Sequence, residues 1–404
     1  MPQIALHWQI LIALIGGAAT GFVFGESVLA VGFIGALFLK ALKMIIVPLI
    51  ATSIITGISG AGRTKGLGSL GLRTFSYYVS TSLLAIITGL ILVNVIEPGV
   101  GAELGLQEKP ARLQDSLDEF GASPGEAVER LLLDMIPTNP FKALAEGEIL
   151  QLIVFSLLFG FFTTRIPSPY SETIIQFFQA AFETMMKLTH FVMRFAPIGI
   201  FALVAKIVAT TGFSPFVDLA LYAITVLCGL LFHSLVTLPL ILYFVGGRSP
   251  LSHSRAMAPA LLTAFSTSSS SATLPLTMDS LENRAGISNR TTSFVIPLGA
   301  TINMDGTALY ECVAAMFIAQ AYGVDLGAAE QFLVVLTALL ASIGAAGIPM
   351  AGLVMISVIL TAVGLPLEGL GLILAVDRIL DMCRTTVNVW SDSCGAAVVE
   401  KTAG

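Results

Sequence analysis

The 404-residue chain reads as an all-α polytopic membrane protein with two re-entrant helical hairpins, and three observations predict this. Hydrophobic residues make up 55% of it and charged residues 11%, against roughly a quarter charged in soluble domains. Apolar stretches recur at 8–25, 30–58, 74–96, 149–164, 172–209, 214–246, 289–322, 328–365 and 368–390, and about 20 residues suffice to cross a hydrocarbon layer of about 30 Å. Beyond about residue 250, Ser, Thr, Gly, Asn, Asp and Pro interrupt these stretches in two similar places. Such backbone is tolerated at membrane depth only where it is buried in protein or lines a cavity.

The first helix starts near His7 with no basic leader and no small-residue cleavage site, so it is expected to be retained rather than removed as a signal peptide. Up to about residue 246 the apolar segments are continuous, with Tyr78-Val79-Ser80-Thr81-Ser82 as the main polar exception. Arg63, Lys65, Arg73, Arg165, Arg248 and Arg255 fall in short loops, whereas 97–134 is rich in Glu and Asp. The positive-inside tendency therefore puts both termini in the cytoplasm of a cell-membrane protein and the acidic loop outside. The net charge of −6 comes largely from that loop and points to no nucleic-acid partner; the surroundings are membrane lipid. Cys228, Cys312, Cys383 and Cys394 lie in apolar segments without CxxC spacing and read as buried free thiols, neither a disulfide framework nor a metal cluster.

The interruptions come in pairs. The tract from Ser266 through Ser268 and Ser270 to Pro275 lies between two apolar arms, as does the tract from Ser342 and Ile343 through Ala345, Ala346 and Gly347 to Pro349. Each is expected to be a hairpin that enters the membrane and turns back. Asn303-Met304-Asp305 follows the first, and the Asp381 to Asp392 segment follows the second. Matching interrupted segments in two halves point to a substrate site between inverted repeats.

On the last helix Asp377, Asp381, Arg384, Asn388 and Asp392 fall within an arc of about 80° at 100° per residue. Four ionised groups facing lipid would cost on the order of 10 kcal/mol, so the stripe must face protein or water. Arg and Asp on adjacent turns could simply neutralise each other, but three carboxylates against Arg384 and Arg378 leave negative charge for a cation or an ammonium group. A guanidinium fork suits a ligand carboxylate. Asp381 can then take an α-ammonium, and the unpaired donors of a half-helix N-terminus at the serine tract can take an α-carboxylate.

Asn303-Met304-Asp305-Gly306 sits mid-segment, where Gly allows unwinding and oxygen ligands suit hard cations. Glu311, farther along the same segment, is a proton-site candidate, because a carboxyl withdrawn from water favours its neutral form. Arg378 is its expected partner once the proton leaves.

The segments TSSSSATLP, GATINMDGTALYE, ASIGAAGIPMAG and DRILDMCRTTVNVWSDSCGAAVVE resemble, in order and spacing, the signatures of the excitatory amino acid transporter, or dicarboxylate/amino acid:cation symporter, family. The likeness extends more weakly to Ile136–Pro140 and Ala196–Gly199. It implies eight transmembrane helices plus the two hairpins in a homotrimer of elevator-type carriers. Scaffold helices would occupy 1–66 and 134–212, transport-domain helix 3 would occupy 67–97, the extracellular loop 98–133, and the rest of the transport domain 213–404.

The resemblance places substrate contacts on Ser268, Ser270, Thr307, Ala346, Gly347, Asp381, Arg384, Thr385 and Asn388. It places sodium (Na+) on three sets: Gly299, Asn303, Asn388 and Asp392; Thr301, Met304, Ser342, Ile343 and Ala345; and Tyr78, Thr81, Ser82, Asn303 and Asp305. Ser268 and Glu311 stand where sodium-only archaeal members carry Arg and Gln, which resembles the animal carriers. The implied activity is uptake of glutamate or aspartate with sodium and proton (H+) coupling through Glu311 and Arg378, with potassium (K+) countertransport as a further option. Neutral amino acid, C4-dicarboxylate and purely proton-coupled symport are the alternatives within the family.

Enzyme classes fit poorly. Asp305 and Asp381 could be proposed as a protease pair, but there is no GxGD motif. The serine tract has no evident base, because His7, His190, His233 and His253 are scattered. His233 reads as a residue packed inside the sixth helix. A pure channel would lack saturable, ion-coupled uptake.

Overall fold

The computed structural model describes residues 6–61, 68–102, 133, 136–146, 149–211, 214–344 and 351–403, and every regular element among them is a helix. In chain order these are α1 (Leu6–Phe24), a 3₁₀ segment (Gly25–Val31), α2 (Gly32–Ala61), α3 (Gly68–Ile96), α4 (Pro140–Glu146), α5 (Ile149–Thr163), α6 (Ser168–Met193) and α7 (Ala196–Thr211). Then follow α8 (Ser214–Phe232), a π turn (His233–Thr237), α9 (Leu238–Phe244), α10 (Pro250–Thr267), α11 (Ser270–Asp279), a second π turn (Ser280–Arg284), α12 (Asn289–Ile302) and α13 (Asp305–Ala321). The chain ends on α14 (Ala328–Gly344), α15 (Ala351–Ala362), a 3₁₀ turn (Leu367–Gly369) and α16 (Leu370–Ala403). Three continuous runs among the described residues, Ile15–Phe38, Leu70–Ile96 and Val217–Phe244, are long and apolar enough to cross a membrane.

Two groups of helices pack within themselves. In the first, α1 lies along α7, and α2 packs on α5, α6 and α7. Glycine makes the α1–α7 approach possible: a methyl at Gly21 would fall 2.4 Å from the Ala205 carbonyl oxygen, and one at Gly17 2.7 Å from that of Phe201. Without a hydrophobic drive between helices in lipid, such small-residue contacts supply the packing. In the second group α16 is the axis, contacted by α3, α8, α10, α12 and α13. The stretch expected at 172–209 is two helices, because the chain breaks after Met193 and restarts at Ala196, with Pro197 suited to a first helical turn. The last helix runs well past residue 390, to Ala403, since Ser391, Asp392 and Ser393 are buried in protein.

The serine tract turns as expected. α10 ends on Ser268 in the left-handed region at φ 50°, and Ser269 caps α11 by accepting from the Ala272 amide. The two arms pack on each other and on α16, and α14 and α15 likewise pack on each other. The break between α12 and α13 falls on Asn303 and Met304, whereas Gly306 is helical. Gly306 is needed for close approach rather than unwinding, since a methyl there would meet the Arg384 carbonyl oxygen at 2.6 Å. The thiols are only partly as expected: Cys312 and Cys394 are buried, but Cys383 is half-buried and Cys228 exposed.

Candidate functional site

The polar stripe of α16 faces inward as a whole, with Asp377, Asp381, Arg384, Asn388 and Asp392 all buried. Arg384 is caged. Its Nε donates to Asp381 Oδ1 at 3.0 Å and its Nη1 to Asp377 Oδ1 at 2.9 Å, while Nη2 lies 2.8 Å from Asp381 Oδ1. The Tyr310 hydroxyl donates to the same Asp377 oxygen at 2.6 Å, and Arg384 Cζ stands 4.2 Å from the Tyr310 ring centroid. Asp381 also receives Arg378, at 3.6 Å. Arg384 and Asp381, expected to take opposite charges of one ligand, are thus paired with each other here.

One turn farther along, Asn388 fixes the start of α13: its Oδ1 accepts from the Gly306 amide at 2.8 Å, and its Nδ2 donates to Thr307 Oγ1 at 3.0 Å. Ser270 and Thr385 are buried as well. Ser268 Oγ is buried with no hydrogen-bond partner among the described residues. Ala346 and Gly347 lie outside the described residues.

The helix break gathers a second, oxygen-rich cluster. Asp305 Oδ1 accepts from Ser82 Oγ at 2.6 Å and Thr81 Oγ1 at 3.3 Å, while Oδ2 accepts from Ser391 Oγ at 2.6 Å and faces His233 Nε2 at 3.1 Å. Asn303 Nδ2 donates to Asp392 Oδ1 at 2.9 Å and to Ser391 Oγ at 3.1 Å, and its Oδ1 is buried and unpartnered among the described residues. Gly299 lets Asp392 and Tyr78 close against its helix: a methyl there would fall 2.3 Å from Asp392 Oδ1 and 2.7 Å from the Tyr78 hydroxyl. The Tyr78 hydroxyl itself donates to the Val295 carbonyl at 2.6 Å. Buried carboxylate, amide and hydroxyl oxygens with an orphaned Asn303 oxygen form the kind of donor set that accepts a hard cation as cargo.

The structure thus brings together Tyr78, Thr81, Ser82, Gly299, Asn303, Asp305 and Asp392. It does not join the remaining sodium set by side-chain bonds: Thr301 Oγ1 donates to the Leu298 carbonyl and Ser342 Oγ to the Leu339 carbonyl, with Met304 buried nearby in sequence. The Ile343 side chain and Ala345 lie outside the described residues.

One expectation needs correction, and another concerns a protonation state other than the one these contacts describe. Glu311, expected to meet Arg378 once its proton leaves, has both oxygens buried without a partner among the described residues, and Arg378 turns to Asp381. His233 is not merely packed: the π turn that starts there carries its ring onto Asp305, consistent with the frequency of π bulges at functional sites. The missed signal was an ionisable side chain within an apolar span. Tyr310, Ser391 and the role of Asp377 were also missed, because their partners are brought in from other helices.

A helical protein whose buried charged side chains converge on a broken helix, with interrupted segments in two similar places along the chain, has the organisation of a secondary transporter. The family model of the sodium:dicarboxylate symporter family matches residues 6–402, and the chain belongs to that family. It is 37% identical to the proton/glutamate-aspartate symporter of Escherichia coli (strain K12), over 99% of this chain and 93% of that protein. It is 35% identical to the proton/sodium-glutamate symport protein of Bacillus caldotenax, over 100% of this chain and 96% of that protein. It is 36% identical to excitatory amino acid transporter 3 of Mus musculus, over 98% and 85% respectively.

Proposed function

We propose that this chain is a secondary active symporter that takes up glutamate or aspartate with sodium and protons. The observation that carries the reading is Arg384, a cation 1% exposed at the meeting point of α13, α15 and α16. A ligand with a distal carboxylate can compete there with Asp377 and Asp381 for the guanidinium, while its ammonium turns to the freed Asp381. Ser268, Ser270, Thr307, Thr385 and Asn388 hold the remaining polar atoms, and Ala346 and Gly347 cover the ligand from the second hairpin. Sodium occupies the Asp305 and Asp392 clusters, with a third ion held by Thr301, Met304, Ser342, Ile343 and Ala345. Glu311 carries the proton.

In this reading α1, α2 and α5–α7 form the fixed, trimerising scaffold, and α3 with α8–α16 moves as an elevator in the cell membrane, both termini cytoplasmic. The closer packing within each group than between them supports that division.

Uptake of labelled glutamate and aspartate into proteoliposomes tests this, with inward sodium, inward proton and outward potassium gradients imposed singly. Acidic uptake should respond to the sodium and proton gradients, and Arg384→Cys should abolish it while admitting serine. Unchanged acidic affinity in Arg384→Cys overturns the substrate assignment. A purely proton-coupled reading draws on the printed name of the Escherichia coli relative; uptake indifferent to sodium at fixed pH would favour it.

A further inference from the structure

Gly352, in the first turn of α15, lies against Arg384. A methyl built on it would fall 2.9 Å from Arg384 Cζ and Nη1 and 3.0 Å from Nη2. Near-equal distances to these three atoms mean an approach onto the flat face, since an approach along the guanidinium edge would bring the nitrogens well inside the carbon. The backbone of the second hairpin therefore rests on the very face of the cation, closer than any side chain could.

The guanidinium has no easy retreat. Nε and Nη1 are held by Asp381 and Asp377, and the Tyr310 ring stands 4.2 Å from Cζ. The Tyr310 hydroxyl is tied to Asp377, so the wall is braced by the same carboxylate that holds the cation. Withdrawal of the hairpin arm is resisted as well, because α15 packs on α13, α14 and α16. A side chain at 352 must therefore turn the guanidinium out of its plane or lift the arm off it.

We propose that Gly352 is a specificity-determining residue, whose missing side chain lets the Arg384 guanidinium lie flat beneath the second hairpin, in the orientation that receives a ligand's distal carboxylate. The proposal rests on the reading of Arg384 given above. It adds that acidic selectivity belongs to a pair of positions: a cation at 384 recognises the carboxylate only while 352 has no side chain. Bidentate recognition depends on the plane of the fork and not on charge alone.

The test compares wild type, Gly352→Ala, Arg384→Cys and the double variant in proteoliposomes at saturating sodium, reading affinity for aspartate and for serine. Gly352→Ala should weaken aspartate by about 10- to 100-fold, the range of one or two lost charge-assisted hydrogen bonds. In the Arg384→Cys background the same substitution should leave serine uptake unchanged, since there is no longer a guanidinium to displace. A loss of serine uptake in the Arg384→Cys background as large as the loss of aspartate uptake in the Arg384 background would mean that the added methyl at position 352 damages the hairpin itself, and would overturn the proposal; so would unchanged aspartate affinity in Gly352→Ala.

Should Arg384→Cys carry no serine, the same comparison is made by aspartate calorimetry on purified Arg384→Lys, whose compact ammonium has no face to be displaced. A further loss on adding Gly352→Ala to that variant overturns the proposal, and residual affinity that stays constant supports it. Acidic affinity retained in Arg384→Cys alone is a different failure. It removes the reading of Arg384, and the proposal with it, whatever residue 352 does.

Discussion

Asp377→Asn removes a charge from the Arg384 cage while keeping nearly the same shape, and its effect should depend on whether substrate is bound. Asp377 is 1% exposed and accepts from both Arg384 Nη1 and the Tyr310 hydroxyl. Without its charge the guanidinium keeps only Asp381, which Arg378 shares. Breaking one side of a buried pair costs about 3–5 kcal/mol, because a charge is left uncompensated. For a 404-residue chain that lowers the unfolding midpoint by about 5 °C on the usual per-residue entropy. If the distal carboxylate of aspartate binds Arg384, it supplies the missing negative charge, so saturating aspartate should shrink the deficit and stabilise the variant more than the wild type. Scans of purified protein by intrinsic fluorescence, at one heating rate and fixed sodium with and without aspartate, measure both quantities. A deficit of the same size in both conditions would refute the reasoning, since the cage would then be a purely structural salt bridge.

Glu311→Gln should retain glutamate exchange but lose net uptake and the pH dependence of affinity. The wild type should bind more tightly as pH falls, because the proton-bound carrier loads substrate and Gln mimics that form; a variant with wild-type pH dependence in proteoliposomes would remove Glu311 from coupling. Gly21→Leu should cost at least about 1–3 kcal/mol through overpacking, seen as a loss of folded protein in detergent chromatography. Gly57→Ala, whose added methyl meets nothing within 4 Å, serves as the control that should behave as wild type.

What could be read in advance followed from helical periodicity and from the cost of charge in lipid. The α16 stripe was legible because Asp377, Asp381, Arg384, Asn388 and Asp392 share one helix, so 100° steps alone fix their common face. The serine turn was legible because Ser268 and Ser269 interrupt apolar arms with residues suited to a left-handed turn and a cap. Contacts between helices were not. No spacing rule relates His233 to Asp305, 72 positions apart, or aligns Gly352 with Arg384. Pairing charges by type across neighbouring helices likewise passed over Asp381, the carboxylate one turn from Arg378 along its own helix.

The two polar clusters are joined by very little chain, and this bears on how cations and substrate could be coupled. Within α16, Arg384 and Asp381 hold one cluster, Asp392 belongs to the other, and Asn388 lies between them. Asn388 binds the first turn of α13, the turn that Asp305 opens and whose start the Asn303 break sets free. A cation drawing in Asp305 and the orphaned Asn303 oxygen would pull on that turn, and Thr307, held by Asn388, would move with it toward the substrate side. Coupling would then need no long relay, only that the Asn303 oxygen beside that helix start stays unpartnered until the ion arrives. Deleting the Asn388 amide should separate the two events, leaving aspartate affinity less steeply dependent on sodium even when sodium still binds; an unchanged sodium dependence in Asn388→Ala would mean that the link runs elsewhere.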